Sequence, residues 1–409
     1  MKKTRLALAI AATAMASTPV LATNGDNMIG VGAKEISMGG TGAAGLHGAE
    51  GILNNVAATA EVKGTEVNIG GTLFMPTMKT SASGGMMAMM NRTGEQTSEG
   101  DTYLIPSVST ATRINENLVF GIGMWGTAGM GTDYSQEDNS GYAGGFDLSS
   151  NLQLMKFAPS LTYQHSNFAI GVAPVLQYGA LDIQSNTTGM PDGGNNGAGQ
   201  STDLGWGYTL GASYKIAGFK IGAAYDSAID MKYDDQLTTQ LAAFGLGNSG
   251  IGDHLEQPAQ IKVGVAYDIG AFQIAADYKN IQWGDAKGYK DFGWENQNVY
   301  SLGLKFTQSQ YWLAAGYNYG ENPIDEQNGS TPLGAAKNFF NMALFPATSE
   351  SHFTFGGGYS LTQNMALDAA IVYAPQTKND YDTSGSGIAN SVTTKHEEMS
   401  YTVQLSYKF

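Results

Sequence analysis

The chain has 409 residues, a formal net charge of −15, only 14% charged residues, 55 glycines and no cysteine. A soluble domain carries about 25% charged residues, so a wall lying in lipid suits this composition better than a fully hydrated surface. The acidic excess would repel phosphate and argues against a nucleic-acid partner. The lack of cysteine removes disulfide-stapled folds and thiol chemistry.

Met1–Ala22 reads as a secretory signal peptide. Lys2, Lys3 and Arg5 form its positive start, Leu6 to Ala16 its apolar stretch, and Val20-Leu21-Ala22 a small-residue cleavage site. The apolar stretch is too short to cross about 30 Å of hydrocarbon, and Pro19 interrupts its end. The exported chain is expected to begin near Thr23, without three positive charges, at a net charge of −18. No later stretch is long and apolar enough for a membrane helix.

Residues 23–64 are rich in glycine but also hold Ile29, Val31, Ile36, Met38, Leu46, Ile52, Leu53 and Val56. That apolar content disfavours a solvated tail. We expect a plug, or hatch, folded into whatever encloses it.

From about Gly64 onward, strands dominate. Phe219, Ile221, Ala223 and Tyr225 alternate with Lys220, Gly222, Ala224 and Asp226, and Ile261, Val263, Val265 and Tyr267 with Lys262, Gly264, Ala266 and Asp268. Successive side chains in a strand face opposite sides, so each strand has one apolar face, while its other face carries lone Asp and Lys residues. Six short connections, the first at 113–117, alternate with seven longer ones near 80–100, 134–150, 185–202, 233–256, 288–292, 321–349 and 378–394. Tight turns on one side and long loops on the other are the outer-membrane pattern. They predict 14 strands, near 65–79, 101–114, 116–133, 151–165, 167–184, 203–216, 217–232, 257–269, 270–287, 293–307, 309–320, 350–361, 363–377 and 395–409. The expected fold is all-β: a transmembrane antiparallel β-barrel of residues 65–409 with the hatch in its lumen, in the outer membrane of a Gram-negative bacterium. The last strand makes the pattern plain, with Met399, Tyr401, Val403, Leu405, Tyr407 and Phe409 on one face and Ser400, Thr402, Gln404, Ser406 and Lys408 on the other.

Several segments resemble the FadL/TodX/OmpP1 family, outer-membrane transporters of long-chain fatty acids and other hydrophobic compounds. The likeness begins at Met38-Gly39-Gly40-Thr41-Gly42-Ala43-Ala44 and continues through Gly51-Ile52-Leu53-Asn54-Asn55-Val56-Ala57. Members typically carry Asn-Pro-Ala where this chain has Asn55-Val56-Ala57, so Val56 replaces the proline. Phe120 to Gly126 resembles the Gly-rich third strand, and Pro258, Asp277-Tyr278 with Trp283, and Phe345-Pro346 ahead of His352 are further partial matches. The resemblance implies a monomeric 14-stranded barrel closed by its hatch, which captures an apolar ligand outside and releases it sideways through the wall.

Three outer loops offer apolar side chains for such capture: Met86, Met87, Met89 and Met90; Leu237, Leu241 and Phe244, at near-helical spacing; and Phe339, Phe340 and Phe345. Gly121, Gly123 and Gly126 interrupt the third strand, as a lateral opening requires, and Asn54, Asn55 and Val56 form the hatch turn. Arg92, Arg113, Lys156 and Lys305 are the cations available to an acidic head group. The expected partners are the apolar ligand, outer-membrane lipid and the barrel assembly machinery. No cofactor or metal is called for. An enzyme is disfavoured, because no G-x-S-x-G or H-E-x-x-H run exists and His47, His165, His254, His352 and His396 are scattered. The alternatives are a general diffusion porin, which needs an open lumen, and a surface adhesin, which needs only long loops.

Overall fold

The computed structural model describes residues 23–89, 93–135, 147–186, 194–244 and 246–409. Fourteen antiparallel strands close into one barrel. They are β1 (Thr65–Ser83), β2 (Tyr103–Arg113), β3 (Leu118–Asp133), β4 (Leu148–His165), β5 (Phe168–Asn186), β6 (Ser201–Ile216) and β7 (Phe219–Asp226). There follow β8 (Gln260–Ile269), β9 (Phe272–Ile281), β10 (Gln297–Thr307), β11 (Tyr311–Gly320), β12 (Ser351–Ser360), β13 (Met365–Asp382) and β14 (Ser391–Lys408). Each strand pairs with its sequence neighbour, and β14 closes the ring on β1 from Lys408↔Glu66 to Ser391↔Ser83.

Alternation sets which face meets which medium. Along β14, Tyr401, Val403, Leu405 and Tyr407 are exposed while Thr402, Gln404 and Ser406 are buried. The same outward face carries Phe120, Leu161, Ile170, Leu210, Ile221, Val263, Ile274, Leu302, Leu313, Phe355 and Leu367, all exposed. An apolar surface running around the molecule is far larger than monomeric soluble proteins show, and it suits contact with lipid.

The strand boundaries depart from the sequence expectation where side chains turn inward. The seventh strand ends at Asp226 rather than 232. Beyond it Ile229, Met231 and Tyr233 are buried, with Ile229 seated against Gly205 and Gly207, and pairing survives only as the isolated bridges Ile229↔Gln257 and Lys232↔His254. The ninth strand ends at Ile281 rather than 287, because buried Trp283 turns in and its Nε1 donates to Gln297 Oε1 at 3.2 Å. In the other direction, β13 continues to Asp382 past an irregularity between Ala374 and Thr377.

The hatch precedes β1. It contains α1 (Ala33–Ser37) and two 3-10 turns, Gly48–Leu53 and Val56–Glu61, and almost all of its side chains are buried against the inner wall. Gly39, at φ +70°, lies against the backbones of Tyr317 and Leu302, and Gly316 of the wall faces Gly39 in return. Glycine on both surfaces allows this backbone-to-backbone approach.

Candidate ligand path: outer cavity, wall break and hatch

Two loop helices build a cavity above the barrel: α3 (Gln236–Ala243) and α4 (Pro332–Ala343). The sequence starts α4 efficiently. Thr331 accepts from Gly334 N at 3.2 Å as the cap, and Pro332 occupies the first turn, where its missing N–H is not needed. The cavity encloses about 220 Å³ and is lined by Leu241, Phe244, Leu246, Phe339, Phe340, Leu344 and Ile388 among others. The Phe244 and Phe339 rings lie 5.7 Å apart, Phe340 stacks on Phe292 at 4.0 Å, and Phe345 backs Phe340 at 5.0 Å. Leu237 is fully buried beneath.

The methionine loop does not line this cavity. Met87 is buried, Met89 is exposed, and Met90 lies outside the described residues. α2 (Gly85–Met89) instead supports the loop that replaces it: Met86 N donates to Gly387 O at 3.2 Å and Met87 N to Ile388 O at 2.9 Å. Gly385, Ser386 and Ile388 line the cavity without having carried a strong apolar signal in the sequence.

Below the cavity the wall is interrupted. β2 pairs with β3 only from Arg113↔Val119 to Ser107↔Trp125. Beyond Trp125 the register of β3 against β4 shifts between Gly126 and Ala128, so Thr127 is an extra residue on that strand. The N-terminal segment meets the released edge. Asn27 pairs with Ala128, and Gly129 N donates to Asp26 O at 3.1 Å. The outer end of β3 reaches α4 directly, since Thr132 Oγ1 donates to Ala343 O at 2.8 Å. Of the three predicted glycines, Gly126 sits at the shift. Gly121 and Gly123 lie in the paired half, Gly121 next to Ile52 of the hatch and Gly123 under the Trp125 ring.

A cluster of Trp283, Tyr289 and Trp294, with ring centroids 4.5–5.0 Å apart, links cavity to hatch. Trp294 Nε1 donates to Asn341 Oδ1 of α4 at 3.0 Å, and the Tyr289 hydroxyl donates to the Asp26 carboxylate, which also accepts from Gln257 Nε2 at 3.0 Å. Burial pushes the Asp26 carboxyl up to about 6, against the opposing pull of these hydrogen bonds. Deeper in, Asn54 Nδ2 donates to Glu35 Oε1 at 2.7 Å, and burial holds that carboxyl well above the usual carboxylate range. Asn55 holds the hatch turn. Its Nδ2 donates to Ala43 O and, across to the wall, to Ala212 O at 3.1 Å, while its Oδ1 accepts from Ala57 N at 3.0 Å. Val56 is buried at the first position of that turn.

A polar inner cavity of about 60 Å³ lies between Glu35, the shifted residue Thr127, and Lys156, Lys262 and Lys279. Lys262 is committed to Asp226 at 2.7 Å and Leu53 O at 3.0 Å. Among the described residues, neither Lys156 nor Lys279 has an acceptor within hydrogen-bond distance. Arg113 is occupied elsewhere, holding Val62 O at 2.8 Å and Ala60 O at 2.6 Å where the hatch enters β1. Lys305 does not line this cavity, and Arg92 lies outside the described residues. The sequence singled out Lys156 but not Lys279, which reads as one more lumen-facing lysine until β9 is placed beside the hatch.

A barrel with an apolar belt, a filled lumen, a broken seam and an apolar outer cavity is an outer-membrane transport channel rather than an open pore. Residues 8–409 match the family described as outer membrane protein transport protein (OMPP1/FadL/TodX), and the chain belongs to it. It is a multi-pass outer-membrane protein of the Gram-negative type, in a family of transporters of hydrophobic compounds. A 47 kDa outer membrane protein of Pasteurella multocida is 22% identical over 395 residues, covering 88% of this chain and 87% of that protein. The fold is shared with a Pseudomonas aeruginosa FadL homologue (TM-score 0.71, 15% identity, 94% of this chain and 100% of the other). It is also shared with the Pseudomonas putida toluene transporter TodX (TM-score 0.67, 19% identity, 95% and 100%).

Proposed function

We propose that this protein carries long-chain fatty acids or similar apolar small molecules from the cell exterior into the outer membrane, by outer capture, hatch movement and sideways release. The β2–β3 pairing that stops at Trp125, with Asp26 and Asn27 lying against the released edge, carries this reading. An apolar chain gains about 0.8 kcal/mol for each CH₂ buried, so an outer cavity walled by Leu241, Phe244, Phe339 and Phe340 favours it over water. Lys156 and Lys279 beside Thr127 suit an acidic head group arriving at the hatch. Moving Asp26 and Asn27 off β3 would then clear a route between β2 and β3, so the ligand leaves into lipid without crossing an aqueous pore.

In this reading the protein works as a monomer, inserted by the barrel assembly machinery, and does no covalent chemistry. The hatch filling the lumen argues against a general diffusion porin, and liposomes containing the protein should swell slowly in sugars. Rapid swelling would overturn the reading.

The decisive test is a crosslink across the break. A Cβ built at Gly126 lies 3.8 Å from Ile105 Cβ, the mean spacing in disulfides, and the native chain has no cysteine to compete. Oxidised Ile105→Cys/Gly126→Cys protein should lose fatty-acid uptake and regain it on reduction. Equal uptake in both redox states would refute lateral release.

A further inference from the structure

Glu398 projects from β14 into the lumen with a side chain 0% exposed. Its carboxylate meets His352 Nε2 at 3.2 Å and His396 Nε2 at 3.2 Å. Among the described residues, no Lys or Arg lies within 4.0 Å of it. A carboxylate so deeply buried carries a heavy desolvation penalty unless a cation meets it. The third group at Glu398 is the backbone nitrogen of Thr23, 3.3 Å from Oε2, with the Thr23 hydroxyl 3.4 Å from Oε1. Thr23 is itself only 4% exposed. It is also the residue immediately after the Val20-Leu21-Ala22 cleavage motif.

We propose that Glu398, flanked by His352 and His396, is the binding site for the chain's own α-ammonium group, created when export processing cuts after Ala22. In that hydrolysis water supplies OH to the Ala22 carbonyl carbon and hydrogen to the Thr23 nitrogen. The freed amine takes up a proton near neutral pH, where an α-amine ordinarily titrates. A single amide N–H thereby becomes a full positive charge with three donors, aimed at a carboxylate that lacks a fixed cationic partner. The leader's removal thus completes the site.

This pair anchors the segment that closes the wall. Thr23–Asn24 folds back on Asn27–Met28 through Gly25, at φ +69° against the Trp283 ring. Asp26 and Asn27 of that hairpin are the residues on the free edge of β3. The α-ammonium therefore ties the hairpin that covers β3 to β14, three strands away around the barrel. It does so whatever the barrel carries, so the anchor stands or falls apart from the transport reading.

The test uses the full protein purified from outer membranes and an N-hydroxysuccinimide ester as amine probe, with the N-terminal peptide read by mass spectrometry. The first residue should be Thr23. Folded protein should label at that amine about tenfold or more slowly than heat-unfolded protein, since each unit of raised pKa removes about nine-tenths of the free amine. The midpoint of labelling against pH should exceed the ordinary α-amine value and fall by about one unit in Glu398→Gln. Burial alone would slow labelling without that dependence on Glu398. Inserting one alanine between Ala22 and Thr23 moves the ammonium along the chain, should lower the midpoint similarly, and still reports if Glu398→Gln fails to assemble. A different first residue, or an ordinary midpoint in the folded protein, would overturn the proposal.

Discussion

Two seams of the same barrel differ sharply. β14 meets β1 at eighteen consecutive positions, whereas β2 meets β3 at seven and stops. Glycine and proline content alone does not separate them, because β1 contains Gly70, Gly71 and Pro76 and still pairs throughout. What distinguishes β3 is the extra residue at Thr127, which shifts its register with β4. A one-residue shift exchanges the two faces of a strand, and from Trp125 to Thr132 every residue of β3 is buried rather than alternating. The pairing of β2 with β3 stops where alternation fails, and backbone from the hatch covers the edge that results.

The largest effect expected from breaking this contrast comes from crosslinking both seams. The Ile105→Cys/Gly126→Cys bridge should stop uptake when oxidised. Thr72→Cys/Thr402→Cys joins the continuous seam, where the two hydroxyls already touch at 2.7 Å, and should leave uptake within about twofold of wild type. Equal loss in both would mean that general stiffness, not the break, controls release.

A smaller effect is expected above the break. Phe339→Ser removes one aromatic wall of the outer cavity; the side chain is partly buried, so about 0.75–1.5 kcal/mol, half that of a fully buried Phe, is at stake. Fatty-acid affinity measured by fluorescence titration should fall roughly three- to tenfold. A lipid-facing aromatic serves as the comparison: Phe355→Ser, on the outer face of β12, should leave affinity unchanged.

Acidity should sharpen the contrast further. The Asp26 carboxyl, raised to about 6 when docked, holds its proton more tightly than in the undocked segment, where an aspartate titrates near its usual value of about 3.9. Docking is therefore favoured fully below about pH 4 and weakens as pH rises toward 6. Hydrogen exchange at residues 25–29, corrected for the intrinsic pH dependence, should speed up across that window while β14 stays unchanged. Asp26→Asn should abolish the dependence, and a wild-type profile that is flat would remove Asp26 from the control of docking.

The sequence made much of this legible, for identifiable reasons. Alternation is local, so fourteen strands and their facing could be read from residues such as Tyr401 and Val403 beside Thr402 and Gln404. The outer loops announced Leu241, Phe244, Phe339 and Phe340 by apolar content, and all four converge on one cavity. The break was legible only in part: Gly126 marked the strand and sits at the shift, but the stop at Trp125 belongs to the register of β3 between two partners rather than to Gly121 or Gly123. Lys279 and the Glu398 site were hidden for a related reason. Each acquires meaning only from a hatch residue hundreds of positions away in sequence, Glu35 or Thr23.

The smallest expected effect tests the hatch turn against the family pattern. The resemblance noted in the sequence puts proline at the position of Val56, and its loss implies a differently built turn. The turn is instead held by Asn55, which caps it through Ala57 N and ties it to Ala212 O of β6. Val56 is its first residue, the position at which proline's missing N–H and fixed φ are best tolerated. Val56→Pro should therefore change hatch protection against proteolysis by no more than about 1 kcal/mol. Ala57→Pro, one residue on, removes the N–H that Asn55 accepts, and Asn55→Ala removes the cap itself, at about 0.5–2 kcal/mol. If Val56→Pro loosened the hatch as much as Asn55→Ala, the turn would depend on the Val56 side chain packed against Gly171 rather than on the cap.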